Sequence, residues 1–237
     1  AVVVHLAAVS RDADCQLDPK SAFDVNVGGT LNVLQAARKS DSKQIVFASS
    51  EWVYGDVRND EIQVEDQPID VSQMTSFYAM TKIVGERILA LDDSKMSKTI
   101  LRFGIIYGPR RSNWSAVESL FNTVSEQPEV LVGCLDTARR FIHVDDIVSG
   151  VLNSVGQTGV EIFNISGDRL ITLREVVETS AAILRTDVAI VESDPEAVSV
   201  RNPDNQKARA NLEWAPRVDL RTGLETLADF FAASTDS

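Results

Sequence analysis

The segment Ile45-Val46-Phe47-Ala48-Ser49-Ser50 is a short apolar run that ends in two serines. Upstream of it, residues 2–7 form another apolar run, and residues 25–37 carry a helical pattern. Downstream, a helical pattern over residues 78–91 precedes an apolar run over residues 99–103. Strands that alternate with helices are typical of a parallel sheet with crossover helices. The sequence therefore predicts an α/β fold with a doubly wound parallel sheet, which carries ligands beyond the carboxyl ends of its strands.

The second half of the chain has a less regular pattern, in which short apolar runs are separated by helical segments. We expect strands of this half near residues 130–132, 162–164 and 189–191. Its helical patterns cover residues 115–125, 145–155, 173–184, 205–212 and 220–231. This mixture predicts a smaller mixed α/β lobe that is interleaved with the sheet of the first half.

Composition and charge exclude several functions. The chain has 237 residues, of which 44% are hydrophobic, enough for one large domain or for a domain with a smaller appendage. A formal net charge of −12 argues against binding to nucleic acid or to an anionic membrane surface, because the usual basic footprint is missing. We find no bilayer-spanning apolar run and no leader pattern, and expect a cytoplasmic protein. Cys15 and Cys134 stand singly, so we expect no metal site and assign them no role.

Tyr78 and Lys82 are four residues apart, about one helical turn, so their side chains share one face of the predicted helix. A tyrosine with a free pKa of about 10 is a poor base at neutral pH until a nearby cation favours its phenolate. A serine hydroxyl from the end of the preceding strand could complete a proton-transfer site for a carbinol or a carbonyl. Taken alone, a Tyr-x-x-x-Lys pattern is more commonly a surface pair on a helix.

Several short segments occur together in an order that carries more information than any one of them. The segments are His5-Leu6-Ala7-Ala8, Asn26-Val27-Gly28-Gly29-Thr30, Ser49-Ser50-x-x-Val53-Tyr54-Gly55, Tyr78-x-x-x-Lys82, Leu101-Arg102, Tyr107-Gly108-Pro109-Arg110, Arg139-x-Phe141-Ile142-His143-Val144-Asp145-Asp146 and Phe163-Asn164-Ile165. The ordered set resembles the extended short-chain dehydrogenase/reductase family, in its NAD-dependent sugar epimerase/dehydratase branch. The resemblance covers nearly the whole chain and implies a Rossmann-like sheet.

The resemblance implies a catalytic set of Ser50, Tyr78 and Lys82. Tyr78 would exchange the proton of a sugar hydroxyl while a hydride passes to or from NAD. Lys82 would favour the phenolate and hold the nicotinamide ribose, and Ser50 would share the hydrogen bond to the reacting oxygen. NADP is not excluded as the cofactor, because the strand end at which the choice is normally read is not in this sequence.

The same resemblance assigns the remaining site residues. The cofactor would be lined by Ala7, Ala8, Asn26, Ala48 and Ser49, in addition to Tyr78 and Lys82. The substrate would be contacted by Ser50, Glu51, Arg139 and Arg201. Among these, Arg139 falls where the family places an arginine on the pyrophosphate of a nucleotide-sugar, a role suited to a guanidinium that donates two hydrogen bonds.

The resemblance also implies a sheet that is incomplete at its N-terminus. Members of the family begin with a strand, a Gly-x-x-Gly-x-x-Gly turn and a helix that receives the pyrophosphate. This sequence opens on a segment that corresponds to a later strand. We therefore expect residues 1–108 to be the remainder of a dinucleotide-binding domain, and residues 109–237 to be mostly the substrate-binding lobe. Activity is expected to depend on a phosphate cradle that the sequence does not contain.

One departure from the family pattern narrows the chemistry. Dehydratases and some decarboxylases of this branch carry a glutamate directly before Val-Tyr-Gly, whereas here that position is Trp52 and Glu51 lies one place earlier. We therefore favour an NAD-dependent epimerase or related oxidoreductase that acts on a nucleotide-linked sugar. The alternatives are a sugar or uronate dehydrogenase with net NAD turnover, and a truncated, non-catalytic remnant that acts as a binding or scaffold protein. We expect a homo-oligomer, in the form of a dimer.

Overall fold

A computed structural model describes residues 1–57, 61–112 and 114–235. The strands are β1 (Val2–His5), β2 (Gln44–Ser50), β3 (Ser97–Phe103), β4 (Ile106–Tyr107), β5 (Glu129–Val132), β6 (Ala138–Arg139), β7 (Ile142–His143), β8 (Val160–Ile165), β9 (Ile171–Thr172), β10 (Ala189–Glu192) and β11 (Val200–Arg201). The helices are α1 (Asp12–Leu17), α2 (Pro19–Phe23), α3 (Gly29–Lys39), α4 (Phe77–Ala90), α5 (Ala116–Glu126), α6 (Val144–Asn153), α7 (Leu173–Leu184), α8 (Gln206–Leu212) and α9 (Leu220–Thr235).

A four-stranded parallel sheet in the order β1-β2-β3-β8 forms the centre of the fold. Every residue of β2 is buried, because helices cover both faces of this strand. Side chains alternate between the two faces along β2: Ile45 and Phe47 pack with α3 and α4, whereas Val46 and Ala48 pack on the other side. The prediction of an α/β fold with a parallel sheet is confirmed.

The second half of the chain builds smaller sheets and a helical cluster. Helices α5, α7 and α9 share an apolar core to which Phe121, Val176 and Leu224 contribute. Strand β5 pairs with β10, and β6 lies between β11 and β9. Strand β8, from the second half of the chain, pairs with β3 and so supplies the fourth strand of the central sheet. Within the described residues, no helix is long and apolar enough to cross a membrane.

The segment between β1 and α3 differs from the pattern predicted for it. The apolar run over residues 2–7 forms a strand only as far as His5, whose ring Nε2 lies 3.0 Å from Thr30 Oγ1. Two short helices, α1 and α2, follow without a periodic signal in the sequence. The helical pattern over residues 25–37 then begins in a π-helical turn, Asp24–Gly28, that leads directly into α3. The hydrogen bond from His5 to Thr30 joins the end of β1 to the start of α3.

Candidate active site

The three residues predicted to be catalytic lie close together at the carboxyl end of β2. Helix α4 begins after Ser76, whose Oγ accepts a hydrogen bond from Ala79 N at 3.0 Å and so caps the first turn. Tyr78 lies in that turn, and it lines the same cavity as Ser50, the last residue of β2, whose side chain acts to lower the pKa of the phenol. One turn later, Lys82 Nζ donates to the carbonyl oxygen of Ala48 at 2.7 Å. Helical spacing and a strand end therefore bring Ser50, Tyr78 and Lys82 together.

Burial controls the charge state of this group. Removal from water raises the pKa of Tyr78 to about 12, and the side chain of Ser50 opposes only part of that rise. Burial also lowers the pKa of Lys82 to about 8, although the Glu86 carboxylate acts in the opposite direction. The Lys82 ammonium lies 5.6 Å from the Tyr78 ring centroid, and it bonds to Ala48 O. With its pKa raised to about 12 by burial, the phenol is protonated at neutral pH.

A cavity of about 610 Å³ opens beside these three side chains. Its polar wall includes Ser49, Ser50, Tyr78, Lys82, Ser10, Arg11, Arg110 and Ser115. Its apolar wall includes Leu6, Ala8, Ala48, Trp52, Phe103, Ile105, Ile106, Val148 and Leu152. Ala8, Ala48 and Ser49, which were predicted to line the cofactor, thus face this space, whereas Ala7 is exposed and does not line it.

Asn26 lies beneath the cavity wall rather than in it. Its Oδ1 accepts a hydrogen bond from Val9 N at 2.8 Å, and its Nδ2 donates to Val9 O at 2.9 Å. The same Nδ2 donates to Thr81 Oγ1 at 3.0 Å, and Thr81 belongs to α4. Both backbone groups of Val9 are therefore satisfied by one side chain. Asn26 joins the loop that follows Ala8 to the helix that carries Tyr78 and Lys82.

The two arginines predicted to bind substrate lie side by side because their strands are hydrogen-bonded to each other. Strands β6 and β11 run parallel, and Arg139 lies directly opposite Arg201 in their register, on the same face. Arg139 donates hydrogen bonds of 2.6 Å to both the carbonyl oxygen and the Oγ of Ser199. The Arg201 guanidinium lies over the Trp52 ring at 3.9 Å from its centroid, and its Nε is 2.8 Å from Asp56 Oδ1. Two cationic side chains thus face one region.

Glu51 completes this group and is fully buried. Its Oε1 is 3.7 Å from Arg139 Nε, which is too long for a hydrogen bond. Burial raises the pKa of Glu51 to about 7, although the charges of Arg201 and Arg139 act in the opposite direction. Trp52 lines the large cavity and, together with Arg201, a second cavity of about 500 Å³. The arginine group therefore adjoins the site that holds Tyr78.

Residues 1–166 match the NAD dependent epimerase/dehydratase family. The chain belongs to this family. The match confirms the family predicted from the ordered motifs. The roles of individual residues stay predictions.

Similar proteins act on UDP-sugars. A putative UDP-glucose 4-epimerase from Methanocaldococcus jannaschii is 28% identical over 97% of this chain and 76% of its own length. UDP-glucuronic acid decarboxylase 1 from Arabidopsis thaliana is 26% identical over 97% of this chain. The chain spans 54% of the length of that relative.

Solved structures of the epimerase/dehydratase family share the fold. The Thermotoga maritima UDP-glucose 4-epimerase with UDP-glucose has a TM-score of 0.89 at 26% identity, over 99% of this chain and 78% of its own. MoeE5 in complex with UDP-glucuronic acid and NAD has a TM-score of 0.86 at 26% identity, over 98% of this chain and 79% of its own. Both confirm the Rossmann-like architecture.

In this member of the epimerase/dehydratase family, a buried ion pair that sequence reasoning missed supports the site. Arg102 donates to both carboxylate oxygens of Glu86, at 3.0 and 2.8 Å. Ser49 Oγ donates to the same carboxylate at 2.5 Å. Glu86 follows Lys82 by one helical turn, so the spacing of Tyr78, Lys82 and Glu86 on one face could have revealed it. This network fastens β2 and β3 to α4 directly beneath the candidate catalytic group.

Proposed function

We propose that this protein oxidises and re-reduces a hydroxyl group of a nucleotide-linked sugar with NAD, and thereby acts as an epimerase. The observation that carries the proposal is the convergence of Ser50, Tyr78 and Lys82 on one wall of a cavity of about 610 Å³. Membership of the NAD dependent epimerase/dehydratase family supports it, as do relatives described as epimerases of UDP-sugars. The proposal covers the protein of which this chain is the whole or a part.

The residues of the large cavity fit the nicotinamide and ribose of the cofactor. An ammonium has three N–H donors, and within the described residues Lys82 uses one of them, for Ala48 O. Two donors are left for the vicinal hydroxyls of a ribose. Apolar side chains such as Phe103 and Ile106 offer a dry surface for a planar ring. NAD, when bound, supplies the hydride acceptor and donor of the reaction.

The proton is held by Tyr78. A phenol whose pKa is raised to about 12 is protonated at neutral pH, so its Oη can donate a hydrogen bond and then a proton to the oxygen of a keto sugar. In the direction of oxidation the phenol must first lose that proton, and positive charge brought beside it lowers the free energy of the phenolate. Ser50, which lines the same cavity as Tyr78, can donate to the same substrate oxygen and orient it.

Arg139 and Arg201 suit the diphosphate of the substrate. Guanidinium groups bind phosphate oxygens with two parallel hydrogen bonds, and two of them side by side match two linked phosphates. The structures of relatives that contain UDP-glucose and UDP-glucuronic acid favour a uridine diphosphate sugar. We accordingly propose that residues 1–108 hold the cofactor and that residues 109–237, which carry both arginines, mostly bind the substrate.

The proposal includes a homodimer in the cytoplasm. Large apolar side chains are exposed on consecutive helical segments of the first half, among them Val25, Leu31 and Phe77, each more than 40% exposed. A second copy of the chain would cover such side chains. Cys15 and Cys134 are free thiols, as is usual in a reducing compartment. Light scattering coupled to size-exclusion chromatography tests the dimer.

The test of the proposed function uses the purified 237-residue chain. Calorimetric titration with NAD and with UDP should show binding of both. Incubation with NAD and either UDP-glucose or UDP-glucuronic acid should then give a stereoisomer of the sugar without accumulation of reduced cofactor. Reduced cofactor formed in proportion to product would identify a dehydrogenase instead. Absence of binding for both ligands would favour the non-catalytic alternative.

A further inference from the structure

Glu51 is a buried carboxylate that the proposed reaction does not use. It is fully inaccessible to solvent, and neither of its oxygens has a hydrogen-bond partner within the described residues. A buried carboxylate normally accepts two or more hydrogen bonds, because the loss of its hydration otherwise opposes ionisation. The only compensation shown for Glu51 is electrostatic attraction to two nearby guanidiniums. The attraction of the two guanidiniums therefore opposes, but does not cancel, the effect of burial on this carboxylate.

Four charged or titratable groups on different elements influence Glu51. They are Arg139 from β6, Arg201 from β11, Asp56 from the turn that follows a 3₁₀ helix (Glu51–Tyr54), and Tyr78 from α4. Arginine stays protonated in proteins, so the two guanidiniums contribute two positive charges that do not titrate. Asp56 and Glu51 contribute the two negative charges that balance them. This region is neutral while both carboxylates are ionised.

Arg201 also has a buried hydrogen-bond donor that lacks an acceptor among the residues that the structure describes. Its side chain is buried, with 8% of the residue exposed, and its Nη1 has no partner within the described residues. A buried donor without an acceptor is unfavourable, and a phosphate oxygen would satisfy it. A diphosphate that binds both guanidiniums would, however, bring at least two negative charges next to the Glu51 carboxylate. Four negative charges would then face two positive ones.

We propose that Glu51 takes up one proton from solvent when a diphosphate binds to Arg139 and Arg201, so that substrate binding is coupled to protonation of this side chain. This inference rests on the proposed binding of a nucleotide-sugar at the two arginines. Protonation converts the carboxylate into a neutral carboxylic acid, so Glu51 no longer repels the diphosphate or offsets the positive charge of the two guanidiniums.

Glu51 is better suited to accept this proton than its neighbours are. Tyr78 already carries its proton, because burial raises its pKa to about 12. The Asp56 side chain is 47% exposed, so water stabilises its negative charge when the diphosphate arrives. Glu51 has no such solvation, and its pKa of about 7 leaves it close to protonation before any ligand is added. An incoming anion raises that pKa further by like-charge repulsion.

Isothermal titration calorimetry with UDP tests the coupling. Titrations at pH 8 in two buffers of different ionisation enthalpy give the number of protons taken up per UDP bound. We expect uptake that approaches one proton for the unaltered chain and no uptake for Glu51→Gln. Above pH 7 the affinity of the unaltered chain should fall by up to about tenfold per pH unit, whereas that of Glu51→Gln should be nearly constant.

Two further variants control for effects on folding and on the assay. Glu51→Asp keeps a carboxylate at the position, so it should retain the proton uptake even if its stability differs. Glu129→Gln makes the same chemical change at an exposed position at the start of β5, and it should leave the proton uptake of the unaltered chain unchanged. Thermal unfolding of each variant confirms that it is folded at the temperature of the titration.

Each outcome separates this inference from the proposed function. UDP binding without proton uptake, or with uptake that persists in Glu51→Gln, would overturn the role of Glu51 and leave the proposed function intact. Pyrophosphate serves as a second probe that lacks the nucleoside. If pyrophosphate binds with uptake that Glu51→Gln removes while UDP does not bind, the inference stands and the nucleotide assignment fails. If neither ligand binds, both are overturned.

Discussion

Lys82 Nζ lies 2.7 Å from the carbonyl oxygen of Ala48, and this bond ties helix α4 to the end of strand β2. Two residues later the same strand end carries the hydroxyl of Ser50, which acts to lower the pKa of the Tyr78 phenol. The relative positions of Ser50 and Tyr78 therefore depend on how closely α4 approaches β2. An ammonium that holds a backbone carbonyl in this way is also oriented towards the cavity without help from a ligand.

Tyr78→Phe should abolish turnover of the sugar while leaving the fold unchanged. The substitution removes the phenolic proton, and loss of a positioned acid or base lowers kcat by about 10²–10⁴-fold. The Phe ring fills nearly the same buried space, so the circular dichroism spectrum and the unfolding temperature should stay close to those of the unaltered chain. Activity is measured as conversion of the UDP-sugar in an intact, active form of the protein. Full activity in Tyr78→Phe would contradict the catalytic assignment.

Arg139→Ala should weaken UDP binding more than NAD binding. Removal of a guanidinium that donates to phosphate lowers affinity by about ten- to a hundredfold, since each charge-assisted hydrogen bond contributes about 1.5–3 kcal/mol. Arg140→Ala is a matched control, because Arg140 Nε donates to Asn202 Oδ1 rather than facing Glu51. Calorimetry with each ligand measures the effect. Equal losses for UDP and NAD in Arg139→Ala would argue against its placement on the substrate.

Glu86→Gln should destabilise the protein by about 3 kcal/mol, because it leaves the buried Arg102 guanidinium without its counter-ion. The free energy of unfolding in urea measures this loss. Asp24→Asn is the control, since its pair with Lys20 is exposed and should not affect the unfolding midpoint. An equal effect of both substitutions would show that burial does not determine the strength of the Glu86 to Arg102 pair.

Gly85→Ala and Gly29→Ala should have opposite effects on stability, although both positions are helical. A Cβ at Gly85 would lie 2.6 Å from Phe47 Cζ in β2, so α4 or the ring must move, at a cost of about 1–3 kcal/mol. A Cβ at Gly29 would meet no atom within 4 Å, and alanine there should stabilise α3 by up to about 1 kcal/mol. Thermal unfolding measures both changes. A reduction in NAD affinity in Gly85→Ala would show that the distance between α4 and β2 affects the geometry of the proposed cofactor site.

The stability contribution of Glu51 should decline as the pH rises. Its pKa is higher in the folded protein, at about 7, than the unperturbed value near 4.5, so the folded state binds the proton more tightly. The resulting stabilisation is complete below the unfolded pKa and is lost as the pH rises through 7. Between pH 5 and pH 8 the unaltered chain should therefore lose on the order of 3 kcal/mol relative to Glu51→Gln. Denaturant unfolding at the two pH values checks this, and a constant difference would contradict it.

Sequence patterns predicted most of the architecture because the relevant signals are local. The helical pattern over residues 173–184 coincides with α7, and the apolar runs of β2 and β3 are both recognisable from their composition. The one-turn spacing of Tyr78 and Lys82 also predicted that their side chains would share a helix face. These features depend on neighbours within a few residues, so no knowledge of the tertiary structure is needed to find them.

Features that depend on distant partners were not predicted. Two-residue strands such as β6 and β11 have no periodicity, so the opposition of Arg139 and Arg201 could not be derived from spacing. The rise in the pKa of Tyr78 could not be anticipated either, because desolvation depends on packing from all sides. Sequence reasoning included Glu51 only as a substrate contact. Its complete burial between two arginines became visible only in the structure.

The pairing of β6 with β11 makes the proposed binding of phosphate depend on the local stability of this strand pair. Arg139 and Arg201 are far apart in the chain, and a short backbone ladder is what places them opposite each other. If β11 separates from β6 in a local opening, the guanidiniums of Arg139 and Arg201 are no longer held side by side. The bond from Lys82 Nζ to Ala48 O, at the end of β2, can persist during such an opening. The rate of amide hydrogen exchange at Val200 and Arg201 would measure how often β11 separates from β6 while the rest of the protein stays folded. In that open state the proposed diphosphate site would not be formed.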